Sequence, residues 1–187
     1  IVYTSTPHAD PNSTNPLLAD HGQTELALAA SGVPWIALRN SFYAEFLKNF
    51  LDLLLVERQL LIPEGAAKHS WIFREDCARA ATGALIGKLP VTGPIDVTGP
   101  EALSFADLGS RLSSFSDQPI TVRLLPDQEI IAQVTAKGIP ENVANSTIRL
   151  ISQIAREVLS TPTDTVERAS GSKPTSIDTI LRTLVAS

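Results

Sequence analysis

The sequence predicts an α/β protein with a Rossmann-like, doubly wound parallel sheet, and three observations carry that expectation. A strand, a helix and a second strand follow one another between Ile1 and Leu38, which is one crossover unit. The second strand, Trp35-Ile36-Ala37-Leu38, is continuously apolar rather than alternating, as expected when both faces of a parallel sheet are covered. Polar residues close both strands, Thr4-Ser5-Thr6 on the first and Arg39-Asn40-Ser41 on the second. Ligands of such sheets sit beyond the carboxyl ends of the strands.

Each element has its own warrant. Ile1-Val2-Tyr3 reads as a short buried strand, and the Pro, Asn, Asp, Ser and Thr between Pro7 and Pro16 predict an irregular exposed loop. Apolar positions then recur at helical spacing from about Ala19 to Ser31, and Gly32 ends that helix in the left-handed cap position. Phe42 to Val56 is predicted helical, with Phe46, Leu47, Phe50 and Leu54 on one face, and a looser region follows through Ile62-Pro63-Glu64-Gly65. His69 to Phe73 is a strand candidate, and Glu75 to Ile86 an alanine-rich helix. Ile95-Asp96-Val97-Thr98 is a further strand, and Ser104 with Asp107 three residues on marks the start of a helix reaching Phe115. Ile120 to Leu125 reads as a strand, Asp127 to Ala136 and Pro140 to about Leu159 as helices. A last helix carries Ile177, Ile180, Leu181 and Leu184. The later strands are expected to extend the sheet begun by the first two. Residues 1–98 are expected to be the carboxyl-terminal part of a Rossmann-like domain. Residues 99–187 are expected to form a smaller, mainly helical substrate-side region, with some exchange of segments.

The 43% apolar and 19% charged shares describe an ordinary globular chain. With 15 basic against 20 acidic side chains, a formal charge of -5 gives no electrostatic reason to expect nucleic acid or an anionic membrane as partner. No run of 18 apolar residues exists, the strongest stretch from Phe46 to Ile62 being broken by charged residues. The lone Cys77 makes an internal disulfide impossible and a cytoplasmic home the expectation. Methionine is absent and the chain opens on a strand-like run, so a segment before Ile1, with further strands of the sheet, is expected to lie outside this sequence. Neither the glycine spacing of a dinucleotide loop nor a P-loop occurs. His8, His21 and His69 are scattered and no Cys-x-x-Cys exists, so no metal is expected.

The most distinctive residues are Asp20-His21-Gly22-Gln23-Thr24-Glu25, then Leu38-Arg39-Asn40-Ser41-Phe42-Tyr43, Arg74-Glu75-Asp76-Cys77-Ala78, and Gly171-Ser172-Lys173-Pro174-Thr175-Ser176. In that order they resemble the NmrA-like branch of the atypical short-chain dehydrogenases/reductases, most of all its type 2 NAD(P)H:quinone oxidoreductase group. The resemblance implies a Rossmann fold, NADP(H) or NAD(H) as cofactor, and hydride transfer to a small quinone or similar acceptor. It also implies that His21 stands where many relatives carry a lysine that bonds the nicotinamide ribose. The standard reductase tyrosine would fall at Leu17, which cannot donate a proton, and this disfavours a Tyr-Lys carbonyl mechanism.

Residue by residue, Thr4 and Ser5 are candidates for hydroxyl contacts to ribose or substrate, or simple strand caps. Arg39 is expected in a polar crevice or paired with a carboxylate such as Glu45 or Asp76. Asn40 is a candidate for the carboxamide or a quinone oxygen, and Tyr43 for stacking on, or donating to, a flat substrate. Asn40 and Tyr43 are thus the catalytic candidates, and Thr4, Ser5, His21, Arg39 and Asn40 the cofactor-binding ones. Asp76 is expected to cap its helix or pair with Arg74. Cys77, Phe42, Phe46 and Trp71 read as packing residues before cleft walls. A quinone-like small molecule is the expected partner, with a homodimer allowed. A second functional reading is a dinucleotide-binding redox sensor that acts through a protein partner, and a third is a fragment without cofactor affinity.

Overall fold

We describe a computed structural model of the chain, over residues 1–91, 93–156 and 161–185. The elements run β1 (Val2–Ser5), α1 (Pro16–Ala30), β2 (Ile36–Asn40), α2 (Glu45–Leu54), β3 (Leu55–Val56), β4 (Gln59–Pro63) and α3 (Arg74–Leu85). They continue β5 (Gly93–Val97), α4 (Phe105–Phe115), β6 (Thr121–Leu125), α5 (Asp127–Ala136), α6 (Glu141–Arg156), α7 (Thr165–Ser170) and α8 (Asp178–Val185). The chain divides into two compact units, each assembled from several stretches. Among the described residues no helix is long and apolar enough to cross a membrane.

The first unit comprises Ile1–Tyr43, Ser70–Ala102 and residues 161–176. Its sheet is parallel, in the order β1-β2-β5, with Val2 beside Ile36 and Ile36 beside Gly93. Side chains alternate along a strand, so Ile36, Leu38 and Asn40 share one face while Ala37 and Arg39 share the other. The first face packs on α3 and α7, where Ile36, Leu38 and Val97 meet Cys77, Ala80, Ala84, Val166 and Ala169 in one buried cluster. Cys77 is therefore core. Gly32 takes φ 70 just past the end of α1, the conformation that glycine adopts without steric cost.

Helices α3 and α7 approach closely at Gly83. A Cβ built there would lie 2.3 Å from the Ala169 carbonyl oxygen, which is backbone and cannot swing away. Gly83→Ala is expected to lower stability by about 2 kcal/mol, the usual cost of overpacking a close contact. Chemical denaturation checks it, and an unchanged midpoint would mean that the two helices separate freely.

The second unit comprises Ala44–His69 and residues 103–156 and 177–185. Here the sequence expectation is corrected: among the described residues, only β5 of the later strands joins the first sheet. β4 pairs with β6 in parallel and with β3 in antiparallel, making a separate sheet β3-β4-β6. β4 falls in the stretch read as loose, yet Leu60, Leu61 and Ile62 are each 0% exposed. The β3–β4 turn places Glu57 and Arg58 at φ 46 and φ 63, the doubly left-handed geometry that Asn-Gly would have announced. His69 to Phe73 is not a strand but makes two isolated bridges, His69 with Leu103 and Tyr43 with Ile72.

Caps account for several element ends. Ser104 and Asp107 form a full reciprocal capping box on α4. The predicted helix from Phe42 begins only at Glu45, and that from Ala19 begins earlier, at Pro16, where Asn15 accepts from the Leu17 N–H. The predicted end of the long helix near Leu159 lies outside the described residues. At the last turn of α6 the Ala67 N–H donates to the Ala155 carbonyl, and His69 Nε2 donates to the Ile154 carbonyl at 2.5 Å. Burial pushes the His69 imidazole below its ordinary pKa, against the opposing effect of that carbonyl.

Candidate functional site

All the sequence-predicted site residues fall in the first unit, around the carboxyl ends of β1 and β2. In-register pairing sets Ser5 beside Arg39 on the α1 face. Glu25, from the middle of α1, reaches both: it accepts from the Ser5 hydroxyl at 2.6 Å and from Arg39 Nε and Nη2 at 3.0 and 2.5 Å. Arg39 also donates to the Ala9 carbonyl at 3.3 Å, tying down the loop that follows β1. That loop lies against α1, because Gly22 leaves room for Asp10 and Pro11.

Burial alone would raise the Glu25 carboxyl, but the Arg39 and Ser5 hydrogen bonds, with the charges of Arg39 and His21, hold it below the usual carboxylate range. The Glu25 hydrogen bond raises the Arg39 guanidinium in turn. The expected partners of Arg39 are thus corrected. Asp76 lies on α3, which packs against the other face of the strand, so alternation carries Arg39 away from it. Asp76 instead takes Arg79, and also the Thr175 N–H at 2.7 Å and hydroxyl at 3.2 Å.

One turn before Glu25, His21 Nδ1 meets the Tyr3 hydroxyl at 2.7 Å. Thr4, on the opposite face of β1 from Tyr3 and Ser5, is exposed. Asn40 ends β2 and is 8% exposed. Its Nδ2 approaches the Tyr43 hydroxyl at 3.4 Å, while its Oδ1 is buried with no hydrogen-bond partner among the described residues. The Arg74 guanidinium covers the Tyr43 ring at 4.7 Å from the centroid. Trp71 is buried and meets Phe42 at a tilt. Phe46, expected to pack, is 41% exposed.

The structure therefore brings Ser5 and Arg39 together, through Glu25, and separately joins Asn40 to Tyr43. Glu25 had no role assigned from the sequence, Arg74 only that of a partner for Asp76, and Tyr3 only that of a strand residue. The four-residue spacing of His21 and Glu25 was the available signal, since it sets both on one face of α1. Among the described residues no three His, Cys, Asp or Glu side chains gather as metal ligands would.

A parallel β-α-β sheet with polar side chains converging beyond its strand ends is the fold of the Rossmann-like oxidoreductases related to quinone oxidoreductases and azoreductases. Among solved structures, the chain superposes on a triphenylmethane reductase of Citrobacter sp. with a TM-score of 0.81 at 21% identity, covering 100% of this chain and 65% of that one. It superposes on an NADPH-dependent quinone oxidoreductase of Escherichia coli, complexed with NADPH, with a TM-score of 0.73 at 25% identity, covering 98% and 65%. Among curated proteins it is 31% identical over 148 residues to quinone oxidoreductase 2 of E. coli strain K12, covering 78% of this chain and 50% of that protein. It is 26% identical over 150 residues to an NAD(P)H azoreductase of Xenophilus azovorans, covering 80% and 52%. The chain thus spans about half the length of the curated relatives it matches. No family model matches it.

Proposed function

We propose that the full-length protein carrying this chain is an NAD(P)H-dependent oxidoreductase that passes a hydride to a quinone or a similar flat acceptor, within the NmrA-like branch. The observation that carries this reading is Asn40 Oδ1, a buried amide oxygen without a partner at the end of the middle strand. A buried acceptor left bare is costly, and native structures pair nearly all of them. The carboxamide of a nicotinamide offers a donor of fitting polarity, and the carboxyl edge of a parallel sheet is where dinucleotides lie. When bound, that group supplies the hydride.

The chain's own residues do the rest. Asn40 orients the ring, and the Arg74-covered Tyr43 offers a flat wall and a hydroxyl to the acceptor. Thr4 presents an exposed hydroxyl at the end of β1. Ser5 and Arg39, held by Glu25, stiffen the wall behind them. The likeness to proteins named for NADPH, quinone and azo reduction supports the same reading.

Titrating NADPH and NADH against the full-length protein, then adding benzoquinone, tests it. Asn40→Ala is expected to weaken cofactor binding about 10-fold, the worth of one buried hydrogen bond. Binding without any oxidation of the cofactor would favour the redox-sensor reading, and no binding at all would sink the cofactor assignment.

A further inference from the structure

We infer that the Tyr43 hydroxyl gives the acceptor its proton, and that Asn40 and Arg74 assist by meeting the charge left behind. The inference rests on the hydride-transfer reading above, which supplies two electrons and one hydrogen nucleus and leaves the second proton without a source. The meeting of the Tyr43 hydroxyl with the amide nitrogen of Asn40 carries it.

All three residues stand on one face of the sheet. Asn40 lies on the α3 side of β2, with Ile36 and Leu38. The chain from Ser41 to Tyr43 then runs beside the stretch ending at Ile72. The Ser41 N–H donates to the Val97 carbonyl, the Ile72 N–H donates to the Phe42 carbonyl, and Tyr43 bridges Ile72 in parallel. Arg74 follows Ile72 by two residues and opens α3, which sets its guanidinium over the Tyr43 ring, 4.7 Å from the centroid. The ring also packs on the core cluster that holds Ile36, Leu38 and Cys77. Gripped in this way, it brings its hydroxyl to Asn40 Nδ2 at 3.4 Å. Tyr3, the other tyrosine of the chain, engages His21 on the α1 face instead.

Asn40 has two ends with two tasks. Oδ1, buried and without a hydrogen-bond partner among the described residues, is the end assigned to the nicotinamide carboxamide. Nδ2 is the end that donates to the phenol oxygen. One side chain thus ties the proton donor to the group that orients the cofactor. A phenol that gives up its proton leaves charge on its oxygen. The Asn40 N–H is aimed at that oxygen and the Arg74 guanidinium lies on the ring, so both act most strongly once the proton has left.

The balance is simple. The hydride goes to one quinone oxygen, carrying the electron pair of the nicotinamide C4–H bond, and the nicotinamide is oxidised. The negative charge moves through the quinone ring to the second oxygen, which takes the proton as the Tyr43 O–H bond breaks. The products are the hydroquinone and a phenolate, which regains its proton from water.

The test uses two acceptors that differ in their need for a proton. Benzoquinone needs one, whereas the cation of malachite green becomes neutral on taking the hydride and needs none. In the full-length protein, Tyr43→Phe is expected to lower kcat about 100-fold with benzoquinone, the scale of positioned proton transfer, and less than about threefold with malachite green. The NADPH dissociation constant should change less than about twofold, because a group that acts in the transition state adds little to ground-state binding. Arg74→Leu is expected to lower the benzoquinone rate about threefold, the worth of an exposed cation over an aromatic ring. Apart from turnover, the 13Cζ resonance of Tyr43, assigned by its loss in Tyr43→Phe, is expected to move when hydroquinone is added to the NADP⁺-loaded protein. An unmoved resonance, equal losses of rate with the two acceptors, or a loss of rate matched by a loss of NADPH binding each overturns the inference. A parent that oxidises no NADPH with either acceptor overturns the hydride-transfer reading itself, and does so before any substitution is made.

Discussion

Asp76→Ala is expected to cost about 3 kcal/mol of folding stability, the scale of a broken buried ion pair. The carboxylate is 0% exposed and every oxygen is committed: Oδ1 to Arg79 and the Thr175 hydroxyl, Oδ2 to the Thr175 N–H. Removing it leaves a buried N–H without an acceptor and a guanidinium without its counter-charge. Arg79 retains Ser170 and the Lys173 carbonyl, which softens the loss. The segment from Ser172 to Thr175 is held to α3 largely by these contacts, so its amides should exchange faster with solvent in the variant. Asp76→Asn keeps the shape and one acceptor and should lose about half as much. Urea unfolding measures both, and a variant within about 0.5 kcal/mol of the parent would show that the clamp is ornamental.

The second large effect is expected at Glu25. Glu25→Gln keeps the side-chain shape but removes the charge that faces Arg39 through two hydrogen bonds. The pair is only partly buried, the Arg39 side chain being 24% exposed, so solvent and salt screening reduce the loss to about 2 kcal/mol. The pH dependence has a definite sign. Because the folded carboxyl lies below its ordinary value, its contribution is present in full above the unfolded value and is lost as pH falls through the folded one. The stability gap between parent and Glu25→Gln should therefore be widest near neutrality and narrow progressively as pH falls below the ordinary glutamate value. A gap that stays constant down to acid unfolding would show that Glu25 acts through shape alone.

Parts of this architecture were written plainly in the chain. The apolar run through Leu38 announced a strand covered on both faces, and Ser104 with Asp107 announced the start of α4. Other parts had no local signature. Glu57-Arg58 carries no glycine or asparagine, so a tight turn that tertiary packing imposes went unread, and the hairpin and second sheet with it. The site shows the same division. Asn40 and Tyr43 were legible because a polar cluster abruptly ends an apolar strand. The partner of Arg39 was not, because it depends on strand register and on which helix covers which face, and both are long-range facts. Tyr3 was hidden in a run that reads as core, and only the position of α1 gives its hydroxyl a companion.

The interleaving of the two units bears on how the molecule is made and how it comes apart. The chain leaves one unit for the other after Tyr43, returns after His69 and leaves again after Ala102. Neither unit is a contiguous piece of gene, so no single cut or stop codon yields one of them whole. Many of the contacts that close each unit span long sequence separations, such as Thr175 with Asp76 and Ala155 with Ala67. Loops of that length must be drawn together before their contacts reward them, which slows folding relative to a chain of local contacts. A nascent chain made only as far as Ala102 has supplied β1, β2 and β5 but not α7, whose Val166 and Ala169 complete their core.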